Sequence, residues 1–213
     1  MGEGWTSVRL DEIEPIPVAG GLLWQPLRRT LGVQAFGVNA YVASQVGADV
    51  VEEHSERRLR HEEVYVVLTG RATFTLDDET LDAPAGTVLF VRDPDVRRHA
   101  RAEEEGTSVL AIGGRPGEPY SPSAWEWYFA AERYRESRDY DAALALMQEA
   151  LERFPDHAGT LYSLACWEAM AGRRDEALEH LRRAVELEPD VRRYATTDAD
   201  LDAIRDDPRF PAG

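Results

Sequence analysis

The run "EEVYVVLTGRATFTLDDETLDAPAGTVLFV", residues 62–91, decides the fold of the first half of the chain. Apolar and β-branched stretches are cut by Thr69-Gly70, Asp77-Asp78 and Pro84-Ala85-Gly86, which are turn chemistries. Four short strands in an up-and-down path follow. Ala72, Phe74 and Leu76 alternate with Arg71, Thr73 and Thr75, so that strand has one buried face. Outward from this block, "AFGVNAYVA" (35–43) and "TSVLAIGG" (107–114) read as further strands. Short strands at this spacing predict an antiparallel sandwich or barrel.

The strand pattern ends at "GGRPGEPYSPS" (113–123), with its three glycines and three prolines, and a helical period takes over. Trp127, Ala130, Ala131, Tyr134, Ala143, Met147, Ala150 and Pro155 are followed, each 34 residues later, by Leu161, Leu164, Ala165, Glu168, Ala177, Leu181, Ala184 and Pro189. That offset is the period of a tetratricopeptide repeat. Alanines at 131/165 and 143/177 let paired helices approach closely, and Met147/Leu181 fill the space between them. Arg138 and Gly172 fall at the turns between helices. The tail "DADLDAIRDDPRF" is expected to form a closing helix. The expected domains are therefore 1–115, a β-barrel with an N-terminal extension, and 116–213, two repeats and a cap.

Composition narrows the partners. A formal net charge of −16 over 213 residues repels phosphate backbones and argues against nucleic acid. One cysteine, Cys166, forbids an internal disulfide and fits a reducing compartment. Residues 1–21 lack the basic-then-apolar layout of a secretory signal. No apolar run reaches the ~18 residues of a membrane helix. The expectation is a cytoplasmic protein with no membrane partner.

Two stretches resemble the cupin superfamily of double-stranded β-helix barrels. "EEVYVVLTGRATFTLDDETLDA" is similar to the end of the first cupin motif, with Glu63 as its carboxylate and Gly70 in the turn. "APAGTVLFVRDPDVRRHA" is similar to the second motif, with Pro84, Gly86 and His99 in its places. The resemblance spans about residues 20–115. With the helical half, the chain looks like a bacterial cupin–tetratricopeptide protein of no stated activity. The resemblance implies a barrel able to hold a small molecule or a divalent metal, and a homodimer through the barrel. It also has departures. The two-histidine places before Glu63 hold Arg57 and Leu59, or Glu56 and Arg58, and His99 lies about two residues further from Gly86 than the motif has it.

The stretch "VVEEHSERRLRHEEVYVVLTG" (50–70) offers substitutes. His54 and Glu56 are two apart, as are His61 and Glu63, so on paired strands each couple shares a face. With His99 they would form a His/Glu set suited to Fe, Mn, Ni or Zn. The competing reading is a solvated hairpin tip, in which Glu63 pairs with an arginine. Arg28, Arg29, Arg97 and Arg98 are candidates to hold an anion in fork geometry, and strand alternation sends one of each adjacent pair outward. Trp24, Phe36, Tyr41 and Tyr65 could line a pocket or fill the core. In the helical half, the aromatics at 125–134 could form a peptide groove or pack the first helix. His157 and His180 read as surface residues, and Cys166 as packing. No nucleophile elbow, phosphate loop, dinucleotide fingerprint or zinc-type cysteine pair is present, and the sequence leaves turnover open. Two functions compete: a small-molecule- or metal-binding barrel with an attached repeat module, and a non-catalytic scaffold that binds a protein or peptide.

Overall fold

The computed structural model of the protein describes residues 6–18 and 21–211. The chain divides into two compact units, Met1–Pro122 and Ser123–Gly213.

The first unit holds strands β1 (Ile16–Pro17), β2 (Leu22–Gln25), β3 (Gly37–Ala43), β4 (Asp49–His54), β5 (Glu62–Thr69), β6 (Arg71–Leu76), β7 (Glu79–Pro84), β8 (Val88–Val91), β9 (Arg98–Ala102) and β10 (Ser108–Gly114). They form a six-stranded sheet, β1-β2-β3-β10-β5-β8, and a four-stranded sheet, β4-β9-β6-β7. All their pairings are antiparallel. No pairing among the described residues joins one sheet to the other, so the barrel is two facing sheets rather than a strictly closed cylinder.

The core between them draws on both. Tyr65, Val67 and Val109 of the larger sheet pack with Ala72, Phe74, Ala100 and Ala102 of the smaller. The expected alternation in β6 is present: Ala72 and Phe74 are fully buried, and Leu76 packs against the same cluster. Gly70 turns β5 into β6 at φ +69, where a side chain on an L-residue is disfavoured. It also abuts the loop before β10, since a Cβ there would lie 2.9 Å from Thr107 Cα.

Between β2 and β3 the sequence "LRRTL" is not strand but a short helix, α1 (Leu27–Leu31), closed by Gly32 at φ +69. Arg28 and Arg29 therefore do not alternate across a sheet as the strand reading expected.

The second unit contains two helical hairpins, α2 (Trp125–Glu132) with α3 (Tyr140–Arg153) and α4 (Ala158–Met170) with α5 (Arg174–Leu187), then α6 (Val191–Ala195). The 34-residue register has its physical counterpart. Ala131, Ala143, Ala165 and Ala177 are all wholly buried, as are Met147 and Leu181. Arg138 and Gly172 both take positive φ in the equivalent inter-helix turns. Trp127 packs with Leu164 and Trp167 of the next hairpin, and Tyr128 and Tyr134 lie against the same cluster, so these aromatics of the first repeat serve packing within the unit.

Three expectations for this unit need correction. The tail is not a continuous helix. A single 3-10 turn, Ala199–Leu201, is followed by turns that bury Leu201, Ile204 and Phe210. Arg205 donates to the carbonyls of Ala195, Thr196 and Asp198, taking acceptors that a longer helix would have used. His180 is not a plain surface residue: its Nδ1 lies 2.8 Å from Glu168 Oε2, and Glu168 is buried. His157 is half-buried and accepts the Thr160 N–H at 3.1 Å as the N-cap of α4. Cys166 is buried, and its burial with Asp198 nearby pushes the thiol up, which fits packing rather than reactivity.

Candidate functional site

One end of the barrel interior is polar. Register fixes which side chains reach it. In the six-stranded sheet, Gly37, Gly113, Glu63 and Val91 lie directly across from one another on adjacent strands, so all four share the inner face. The next row inward is Asn39, Ala111, Tyr65 and Leu89. Glu63 is flanked by a residue without a side chain, and its Cγ lies 3.0 Å from where a Cβ on Gly113 would stand.

The smaller sheet supplies the opposing wall. β4 pairs with β9 through two irregularities, and these place His54 directly across from Arg98. On the other side Arg98 faces Leu76, whose side chain joins the core. Arg98, Ala100 and Ala102 therefore point inward and are buried.

Glu63 is the centre of the cluster. Its Oε2 accepts the Tyr65 hydroxyl at 2.5 Å and lies 3.5 Å from both His54 Nε2 and Arg98 Nε. Just past the end of β4, Glu56 Oε1 is 3.8 Å from the same His54 nitrogen, and Glu56 Oε2 is 3.2 Å from His61 Nδ1. His54 Nδ1 is 2.7 Å from the Glu52 carbonyl, which fixes the ring. His54, Glu56 and Glu63 each offer a ligand atom within 4.8 Å of the others.

These contacts set the protonation preferences. Burial pulls the His54 imidazole down, but the bond to Glu63, the bond to the Glu52 carbonyl and the Glu63 charge together outweigh it and hold His54 above its ordinary value. Burial raises Glu63, yet His54, Tyr65 and Arg98 together leave it below the usual carboxylate value. The Tyr65 phenol is pushed well up, first by burial and then by Glu63.

Arg98 is 0% exposed, and none of its three guanidinium nitrogens makes a hydrogen bond among the described residues. Asn39 is also buried, with its Oδ1 unbonded among the described residues.

The expected residues separate cleanly. His54, Glu56, His61 and Glu63 converge. His99 does not: it points to the other face of β9, where Nε2 meets Asp49 Oδ1 at 2.9 Å. The turn before β9 sets the parity so that Arg98, not His99, faces in. Arg97 is exposed and 3.4 Å from Glu53. Arg28 is buried, donates to the Val33 carbonyl at 3.2 Å, and lies against the Tyr120 ring. Trp24 is buried and shares the inner face with Tyr41 through direct pairing, while Tyr65 is part of the cluster itself. Phe36 is 43% exposed and lies outside the core.

Two participants escaped the sequence reading. Asn39 shares its alternation in "GVNAYVA" with Gly37 and Tyr41, a signal that was available. Tyr120 stands in the Gly/Pro stretch, yet its ring sits over Gly37, with the hydroxyl 2.8 Å from where a Cβ would be, and 5.7 Å from the His61 ring. A lone aromatic among prolines was its only mark.

Residues 134–201 match the family model for the tetratricopeptide repeat. No curated protein matches the chain. Among solved structures, similarity falls on the N-terminal half. A cupin protein from Bacteroides fragilis is 24% identical over 53% of this chain and 92% of its own, with a TM-score of 0.37. An RmlC-like cupin from Shewanella frigidimarina is 19% identical over 55% and 95%, with a TM-score of 0.40. A sugar phosphate isomerase from a cupin superfamily, from Silicibacter pomeroyi, is 19% identical over 56% and 83%, with a TM-score of 0.44. The fold assignment stands on the two antiparallel sheets and their strand order, which resemble cupin barrels.

Proposed function

We propose that the barrel is a ligand-binding module for a small polar molecule, received at the Glu63 end of its interior, with the tetratricopeptide unit as an attached interaction module. One observation carries this reading. The inner faces are apolar along most of their length, but at this end Tyr65, Glu63, His54, Glu56 and His61 form a chain of polar contacts, each 2.5–3.8 Å from the next. A barrel that needed only stability would fill such positions with apolar side chains, since desolvated polar groups cost free energy unless paired. The cluster instead offers two carboxylate acceptors, a phenol and two imidazoles, a set able to hold hydroxyl or amine donors.

The resemblance to cupins implies a divalent metal. The donors suit one by type and spacing, since imidazole and carboxylate together favour Fe, Mn, Ni or Zn. The charge beside them does not. Arg98 brings a permanent cation to 3.5 Å from the Glu63 oxygen that an ion would need. We read the set as unsuited to an ion.

The test is a calorimetric and thermal-shift screen of the full chain against small polyols, sugars and amino acids. Saturable binding that Glu63→Gln and Tyr65→Phe abolish supports the proposal. Binding that neither variant alters, or no binding, sinks it.

A second reading is a scaffold working through the repeats. It draws on a cavity of about 190 Å³ lined by Tyr128, Arg135, Tyr162, Trp167, Asp198 and Asp200, whose polar and aromatic walls suit a peptide. Peptide-array binding lost on Tyr162→Ala, with the barrel variants silent, would favour it.

A further inference from the structure

We infer that Arg98 is the barrel's resident cation: it takes, in position and in charge, the place a divalent ion would occupy among His54, Glu56 and Glu63, and its replacement by histidine turns the barrel into a metal-binding one. The inference goes beyond the ligand reading above and does not depend on it.

Position comes first. Residue 98 is directly across from His54 in the β4–β9 register, so both side chains leave the same face at the same level. A histidine at 98 would face His54 from the neighbouring strand, beside Glu56 and Glu63.

Charge comes second. Glu63 Oε2 is 3.5 Å from an imidazole nitrogen on one side and 3.5 Å from a guanidinium nitrogen on the other. An ion bound there would be shared between the same carboxylate and the same imidazole. A lysine or histidine could shed its proton to admit it, but a guanidinium stays charged.

The third point concerns why an arginine is kept at this position. Its nitrogens make no hydrogen bond among the described residues, so the usual reason for burying an arginine, a satisfied fork, is missing. A buried cation without compensation is strongly destabilising. Here the compensation is electrostatic, supplied by Glu63 and, beyond His54, by Glu56. Without Arg98, two half-buried carboxylates would face each other across a single imidazole, and that arrangement is one a divalent ion would relieve.

The experiment measures metal content of the full chain, purified without a polyhistidine tag and dialysed against Zn(II), Ni(II) or Mn(II). The wild type should take up no ion that His54→Ala or Glu63→Gln removes. Arg98→His should rise to about one ion per chain, and His54→Ala in that background should abolish the gain. Arg98→Met, which removes the charge without adding a ligand, should give weaker uptake at the same residues. Stoichiometric metal in the wild type, lost on His54→Ala or Glu63→Gln, overturns the inference. So does a folded Arg98→His that stays as metal-free as the wild type. Should neither Arg98 variant fold, the wild-type titration decides: no uptake at millimolar cation supports the inference, and uptake lost on His54→Ala overturns it.

Discussion

Tyr65 and Glu63, two residues apart on β5, share one face of the barrel and a hydrogen bond of 2.5 Å from phenol to carboxylate. The bond holds the carboxylate between His54 and Arg98 rather than out toward the end of the strand. Removing the hydroxyl leaves a half-buried carboxylate with one donor fewer. Tyr65→Phe should therefore cost about 1.5–3 kcal/mol of barrel stability, the range for a hydrogen bond to a charged group. It should also move the Glu63 pKa upward. Denaturant unfolding and NMR titration of the Glu63 carboxyl carbon check the two effects. An unchanged Glu63 titration would show that the short contact does not govern its charge.

The His54–Glu63 pair gives stability a pH window with a definite sign. His54 is raised above its ordinary 6.5, so its contribution is full below that value and is lost as pH rises through the elevated one. Glu63 is lowered from its ordinary 4.5, so its contribution is full above that value and is lost as pH falls through the depressed one. Both are fully present only between 4.5 and 6.5. The stability difference between wild type and Glu63→Gln should peak in that window and shrink on both flanks. A difference that does not vary with pH would sever the pair.

Much of this was legible in the sequence, and what was not has a common cause. β6 announced its buried face, because Ala72, Phe74 and Leu76 alternate with polar neighbours. The repeats announced themselves through a fixed offset, because close helix approach needs alanine at the same places each time. Parity at β9 was different. Whether Arg98 or His99 faces in depends on how "DPDV" turns and on two irregularities in β4, which is not its neighbour in sequence. Nothing within β9 distinguishes the two outcomes. α1 was missed for a similar reason: five residues are too few to show a period. The closing turns after α6 eluded a helical reading because a side chain, Arg205, supplies their backbone partners.

The repeat register makes a prediction of its own. Ala143 and Ala177 are wholly buried where helices meet, so Ala143→Leu or Ala177→Leu should destabilise the second unit by ~1–3 kcal/mol through overpacking. Glu179 is exposed and pairs with Arg182, and Glu179→Leu should stay within about 0.5 kcal/mol of wild type. Thermal unfolding followed by helical circular dichroism separates these outcomes. Equal tolerance at the three positions would break the register.

At the β5–β6 turn, Gly70→Ala faces two penalties. A left-handed backbone costs an L-residue roughly 1–2 kcal/mol. The new methyl would also press on Thr107 Cα, a backbone atom that cannot swing aside. The total loss should exceed that of Gly86→Ala, a turn glycine at φ +90 with open space around it. Comparable losses in urea unfolding would show that conformation alone, and not the Thr107 contact, sets the requirement.

Tyr120 alters how the molecule should be cut. The stretch from 113 to 123 has the composition of a tether, and a division at 115 looks natural from its glycines and prolines. Yet the Tyr120 ring rests on the bare backbone of Gly37 and beside His61. Part of the tether is thus masonry of the barrel's rim. A fragment ending at 115 would leave Gly37 unroofed and His61 open to water, and ligand measurements on it would describe a doorway the intact chain does not have. The fragment that keeps the rim whole runs to Pro122.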